Sequence, residues 1–279
     1  MTPAPNRTRS LPILSIAALA LLLVAPLAAA QKELVTGSAC FLDDPTNLQC
    51  GAEVGGVLSN DDCVFEEDGT RFDLYEFSAD EGDIIGISVD STDFQPVVAL
   101  YAPGATNPIE LTPAQSDVHA ALGFQIPQTG IWRVAVNTLT EGERGNYTLA
   151  VDCFVGATAP DFGPCTETAT EMCLNDDRFR VEAFWETRDG NSDDARTERM
   201  TPDTGYLWFF RDSNVEAVVK VLDGCPVNNH YWMFAGGLTN VLTMIRVTDT
   251  LANEVKLYYN PQGQPFRPIQ DTTAFATCP

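Results

Sequence analysis

Histidine and positive charge are what this chain lacks. Its 279 residues include two histidines, His119 and His230, and sixteen Lys or Arg against 39 Asp or Glu, a formal net charge of −23. A surface so poor in cations repels phosphate backbones and anionic headgroups, which excludes a nucleic-acid partner. The surplus acid serves solubility or attracts cations. No C-x-x-C pair occurs and histidine is scarce, so zinc ligation is not expected. A Ser-His-Asp triad needs a histidine between nucleophile and carboxylate. His119 lies in Ser116-Asp117-Val118-His119 and His230 in Asn228-Asn229-His230-Tyr231. Neither neighbours a G-x-S-x-G elbow or an H-E-x-x-H helix. Paired carboxylates hydrolyse glycosides when they flank a sugar-sized cleft, but 39 acids nominate no particular pair. Amphipathic helical windows are missing too, which leaves strands.

What is present begins at the N-terminus. Arg7 and Arg9 precede an apolar stretch over 11–27, followed by Ala28-Ala29-Ala30 before Gln31. A basic start, an apolar core and a small-residue cut site predict a secretory signal peptide over 1–30, cleaved after Ala30. The stretch is also about long enough to be retained as a membrane anchor, but Pro12 and Pro26 bracket it. No cysteine follows it directly, so no lipid anchor is expected, and no second apolar span is present in the mature chain. Two of the sixteen basic residues and none of the 39 acids fall in 1–30, leaving 14 against 39. The expected location is extracellular or periplasmic.

All eight cysteines lie downstream: Cys40, Cys50, Cys63, Cys153, Cys165, Cys173, Cys225 and Cys278. An even count in an exported chain predicts disulfides. Pairing neighbours within modules gives Cys40–Cys50, Cys63–Cys153, Cys165–Cys173 and Cys225–Cys278 as the first choice among the 105 connectivities open to eight cysteines.

Residues 31–55 are polar, without clear period, and read as an N-terminal arm. Alternating or short apolar runs follow at 71–77, 83–89, 96–101, 118–126, 131–136 and 147–151, separated by turn pairs such as Asp68-Gly69, Glu81-Gly82 and Pro103-Gly104. A Pro-, Gly- and Thr-rich linker spans 156–172. Candidate strands resume at 178–185, 205–210, 215–222, 230–234, 241–248 and 254–259. Short strands at this spacing predict an all-β protein of two tandem antiparallel β-sandwich-like domains, at 56–155 and 173–279, stapled by disulfides.

Within the first domain, Asp73-Leu74-Tyr75-Glu76-Phe77, Gly82, Ser91-Thr92-Asp93-Phe94-Gln95-Pro96 and Leu100 form an ordered set. Pro127-Gln128-Thr129-Gly130-Ile131-Trp132 and Gly145-Asn146-Tyr147-Thr148-Leu149 extend it. Over about residues 56–153 it resembles the bacterial pre-peptidase C-terminal domain. The resemblance implies a compact β-sandwich, an accessory rather than a catalytic module of exported hydrolases, and in some members binding of insoluble polymers or calcium. No peptidase sequence precedes the module, so protease function is not implied. In the second domain, the runs 173–176, 178–182, 204–210, 219–225, 234–239 and 268–272 together resemble a β module that recurs in exported bacterial multidomain proteins, which implies no activity.

Calcium takes six to eight oxygen ligands from clustered carboxylates and carbonyls. Asp61, Asp62, Glu66 and Asp68 are the candidate set. The loop Asp189-Gly190-Asn191-Ser192-Asp193-Asp194 is a second, incomplete one that lacks the EF-hand glycine and distal Glu. Tyr206, Trp208, Tyr231 and Trp232 are candidates for stacking on a sugar or polymer, although the nearly continuous apolar run 205–210 favours a buried strand. The expected function is a secreted, non-catalytic accessory protein that binds an extracellular protein or polysaccharide surface with calcium assistance. The alternatives are a secreted peptidase or glycosidase with its site in the second domain, and a structural spacer.

Overall fold

The computed structural model describes residues 46–113, 118–154 and 159–279. The predicted signal segment, residues 31–45 of the arm and Cys40 lie outside them. Ten strands make the first half: β1 (Thr46–Leu48), β2 (Ala52–Leu58), β3 (Cys63–Val64), β4 (Arg71–Ala79), β5 (Ile84–Asp90), β6 (Pro96–Tyr101), β7 (Glu110–Pro113), β8 (His119–Gln125), β9 (Gly130–Thr138) and β10 (Gly145–Phe154). Ten make the second: β11 (Met172–Leu174), β12 (Phe179–Glu186), β13 (Ser192–Asp194), β14 (Arg196–Thr201), β15 (Thr204–Trp208), β16 (Ala217–Asp223), β17 (Tyr231–Gly237), β18 (Leu242–Asp249), β19 (Glu254–Asn260) and β20 (Ile269–Phe275). The one helix among the described residues is a single turn, α1 (Cys225–Asn228). None is long and apolar enough to cross a membrane.

The strands form four sheets. Sheet I runs β1-β4-β9-β6-β7, with β3 beside β4, and sheet II runs β2-β10-β5-β8. Sheet III runs β11-β12-β18-β19, with β13 beside β12, and sheet IV runs β14-β15-β16-β17-β20. Every pairing is antiparallel except β1 with β4. Strands β1 and β2 begin inside the stretch 46–55, where the sequence shows no period.

Sheets I and II close on a core of Phe77, Ile87, Val89, Leu100, Trp132, Val134 and Leu149. Sheets III and IV close on Phe179, Val181, Leu207, Val219, Met233, Val247 and Phe275. A further cluster crosses between the pairs: Ile84 and Ala121 of sheet II meet Leu242, Met244 and Tyr259 of sheet III. The four sheets therefore stack in the order I, II, III, IV, and the central strands of the two middle ones are covered on both faces. This explains why β18 is buried at every residue and β5 at six of seven. Small residues permit the approach. A Cβ on Gly86 would overlap the Tyr259 ring, and one on Gly123 would lie 2.7 Å from Met244 Sδ. The Tyr259 hydroxyl donates to Asp152 across the same contact. Burial pushes the Asp152 carboxyl up, with the Tyr259 hydrogen bond opposing it.

Cysteine pairing departs from the nearest-neighbour expectation in the first half. Cys50, not Cys63, pairs with Cys153, so Cys50 does not pair with Cys40. Cys50 sits at the turn into β2 and Cys153 on β10, and β2 and β10 are hydrogen-bonded neighbours. In the chain-entropy picture a loop of about 100 residues closed in this way adds roughly 4–5 kcal/mol. Cys63 is also disulfide-bonded. Cys165–Cys173 and Cys225–Cys278 pair as expected.

Buried charge is concentrated in sheet III. Arg178 donates to both Asp249 oxygens (3.0 and 2.6 Å), to the Tyr231 hydroxyl and to the Thr277 carbonyl. Arg246 donates to both Glu182 oxygens at 2.9 and 2.8 Å. Arg180 reaches the Asp161 and Pro164 carbonyls and holds the linker on β12. Bidentate pairing of this kind makes a buried guanidinium tolerable.

Two outcomes follow. Gly86→Val forces a branched side chain into the Tyr259 ring, and chemical denaturation should show a loss of roughly 1–3 kcal/mol. Burial alone would raise the Asp249 carboxyl, but Arg178, Thr277 and the Ala252 N–H outweigh it and hold it below its ordinary value. The stability it contributes is thus present above the unfolded value of about 3.9 and is lost as pH falls through the depressed native value. Asp249→Asn strands Arg178 and should cost about 3–5 kcal/mol at neutral pH, with the gap from wild type narrowing below about pH 4.

Candidate binding surface

In the outermost sheets, each strand has one face turned away from the core. The outer face of sheet I is roofed: Phe65, in the loop after β3, stacks on Phe72 at 4.1 Å over Ala99, Tyr101 and Ala135. The outer face of sheet IV has no such roof among the described residues.

Register identifies that face. Leu207, Val219, Val221, Met233 and Ala235 point into the core, so their neighbours point out. On β15 these are Tyr206 and Trp208, on β16 Val218, Lys220 and Leu222, and on β17 Trp232, Phe234 and Gly236. Tyr206 stands opposite Val218, which stands opposite Gly236; Lys220 stands opposite Phe234, and Leu222 opposite Trp232. Alternate residues of a strand lie about 6.8 Å apart and adjacent strands about 4.8 Å apart. Trp208, Tyr206, Phe234 and Trp232 therefore mark a diagonal track roughly 20 Å long. Val218 is 40% exposed, Leu238 at the end of the track is 85% exposed, and a Cβ on Gly236 would meet nothing within 4 Å. Polar side chains border it: Arg196 and Glu198 opposite Trp208 and Tyr206 on β14, and Gln270 opposite Phe234 on β20. An apolar outer face is unusual for an antiparallel sheet, whose solvent side is ordinarily polar.

The track is held in place. The Trp232 indole lies against Gly224, where a Cβ would overlap it, and its Nε1 donates to Asn228 Oδ1 at 2.7 Å. Asn228 ends α1, which the Cys225–Cys278 bridge anchors to the C-terminal segment. Trp232 and Phe234 meet edge to face at 6.3 Å. Of the four aromatics nominated in the sequence, Tyr206, Trp208 and Trp232 share this face. Tyr231 does not: it is buried against Phe179 and Arg178. The run 205–210 is not a wholly buried strand. Leu207 and Phe209 point in, Tyr206 and Trp208 point out, and the strand stops at Trp208. Phe234 went unnoticed because a lone Phe in an apolar run carries no signal of which side it faces.

Other candidates are engaged internally. Asp62 caps the Ser59 N–H, and Asp68 accepts from the Thr70 N–H and hydroxyl at 3.0 and 2.5 Å. Asp61 and Glu66 are exposed. Asp189 accepts from Thr187 and Asn191 of its own turn, which holds its carboxyl below the ordinary value, the Thr187 bond contributing most. Among the described residues no three His, Cys, Asp or Glu side chains converge as a metal-ligand set. His119 is buried with Nδ1 2.8 Å from Asp90, and His230 Nδ1 contacts the Asn228 carbonyl. The residues of the first-domain motif hold that sandwich together. The Tyr147 hydroxyl donates to Asp73 at 2.5 Å and accepts from Tyr75 at 2.6 Å, and Asp93 accepts from the Asn146 N–H at 2.8 Å.

No protein-family model matches the sequence, and no curated protein matches it. Among solved structures, the pre-peptidase C-terminal domain of a Bacillus anthracis collagenase is 19% identical, covering 39% of this chain and 95% of that one at a TM-score of 0.31. PliG of Aeromonas hydrophila, a periplasmic inhibitor of g-type lysozyme, is 17% identical, covering 39% and 96% at 0.32. PliG of Salmonella Typhimurium is 17% identical, covering 40% and 99% at 0.28. At these values nothing about function transfers to this chain.

Because Asp62 and Asp68 cap the backbone of their own 59–70 loop, millimolar calcium should leave the melting temperature unchanged. A rise with calcium that EDTA reverses would establish a site there.

Proposed function

We propose that this protein is a non-catalytic, extracytoplasmic binding protein that holds a linear, uncharged polysaccharide on the open face of sheet IV. The observation that carries the reading is the diagonal track of Trp208, Tyr206, Phe234 and Trp232 on the outer face of an outermost sheet. A pyranose ring presents a flat face of C–H groups, which loses water favourably against a flat aromatic ring. Its edge hydroxyls need hydrogen-bond partners, and Arg196, Glu198, Lys220 and Gln270 stand beside the rings. Anchoring of Trp232 by Gly224 and Asn228 lowers the ordering cost of binding. The net charge of −23 disfavours anionic polymers. Disulfides in a chain of this size indicate an oxidising compartment.

Pull-down on insoluble cellulose and chitin, with an anionic polysaccharide as contrast, tests the reading. Retention is expected on a neutral polymer, with no turnover of peptide or glycoside panels. Trp232→Ala and Tyr206→Ala should each weaken retention about tenfold, or about 1.4 kcal/mol, while Val57→Ala, on sheet II and 57% exposed, should not. Equal retention by wild type and the Tyr206→Ala/Trp232→Ala double variant would remove the sheet IV face from the proposal.

A further inference from the structure

A cleft of about 870 Å³ opens on one side of the stack. Its walls come from the terminal strands of all four sheets: β7 of sheet I, β8 of II, β19 of III and β20 of IV. Strand β19 lines it from Val255 to Asn260 and, among the described residues, is paired on one side only, by β18. An open strand edge offers N–H and C=O groups at the repeat of an extended main chain, about 3.3 Å per residue. A polypeptide matches that repeat and a sugar chain does not.

The walls supply charge of both signs: Glu110 and Asp271, and against them Lys256 and Arg267, the latter already held by an interaction of its own. Glu110, opposite Leu100 on β6, faces the inner side of sheet I. Asp271, opposite Met233 on β17, faces the inner side of sheet IV. The Tyr258 hydroxyl and the Thr273 N–H, at 3.0 and 2.9 Å, fix the Asp271 carboxylate in place. Burial pushes the Glu110 carboxyl up, although its outer part stays exposed, and Lys256 on β19 opposes that rise. Lys256 forms no ion pair or side-chain hydrogen bond among the described residues. A strand added to β19 sends alternate side chains to opposite faces, one set toward the Glu110 wall and the other toward the Asp271 wall.

We infer that this cleft is a second binding site, separate from the sheet IV face, which takes an extended polypeptide segment bearing Lys or Arg by strand addition to β19. Main-chain bonds to β19 hold the segment. Glu110 and Asp271 select its basic side chains, and the net charge of −23 draws such a segment in. Lys256 limits the affinity, because its charge already acts on Glu110.

The test uses the full chain and an acetylated, amidated eight-residue peptide of alternating Lys and Thr. Amide hydrogen exchange should slow across 255–260 on adding it. Glu110→Gln should weaken its binding about fivefold and Lys256→Gln should tighten it by a similar factor. The Glu/Thr counterpart should not bind, and N-methylation of alternate residues in the Lys/Thr peptide should abolish binding. Undiminished binding of the N-methylated peptide, or slowed exchange elsewhere but not on β19, overturns strand addition. Equal affinity of wild type, Glu110→Gln and Lys256→Gln overturns the charge selection. Trp232→Ala should leave every one of these readings unchanged, so loss of glycan binding and loss of peptide binding are separable.

Discussion

The contact of sheet II with sheet III is the constraint on which the rest of this molecule depends. Two sandwiches joined end to end would each keep two solvated faces. Here one face of each is used up against the other. Gly86 and Gly123 give the space, Tyr259 and Met244 occupy it, and the Tyr259 hydroxyl meets Asp152 within it. Two outer faces remain. Phe65 and its loop roof the one on sheet I, and among the described residues nothing comparable covers the one on sheet IV. The same stacking brings the last strand of each sheet to one side, and these four edges enclose the cleft. Surface and cleft are both consequences of one packing decision.

A middle sheet covered on both faces has to place its polar residues somewhere. Sheet III does so by pairing. Arg246 with Glu182 and Arg178 with Asp249 are bidentate, and Arg180 is satisfied largely by linker carbonyls. Three of the chain's sixteen basic residues are thus spent inside one sheet, each with a carboxylate partner. The pairs also tie distant segments together: Arg178 joins β12 to the end of β18 and to Thr277, beside the Cys225–Cys278 bridge. The outer face of sheet IV is built on this support, since Trp232 leans on Gly224 and on the turn that this bridge anchors.

Strand identity was legible wherever burial was strong. The runs at 71–77, 96–101, 178–185 and 254–259 coincide closely with β4, β6, β12 and β19. Strands β1, β2, β3, β7, β11, β13, β14 and β20 were not legible. Two adjacent glycines interrupt β2, and one of them, Gly56, lies beneath the Tyr147 ring. Strands β14 and β20 are polar edges whose pairing comes from neighbours far along the chain. Of the face on sheet IV, the residue types were visible but their direction was not, because a run of Tyr, Leu, Trp and Phe is compatible with either side of a sheet. Nothing in the sequence pointed to the cleft: Glu110, Lys256 and Asp271 are ordinary charges until three sheets bring them together.

By itself, the amino-acid order determined the all-β class and the oxidised state of the described cysteines. These follow from local period, turn chemistry and an even cysteine count, which need no knowledge of distant contacts. Tertiary structure alone decided that Cys50 rather than Cys63 meets Cys153, that the sandwiches share a face, and that Tyr206, Trp208, Phe234 and Trp232 look outward. The physical reason is common to all three. Each depends on which apolar surface finds another to cover it, and that is settled by shape and by the size of residues such as Gly86 and Gly123, not by the pattern of any one strand.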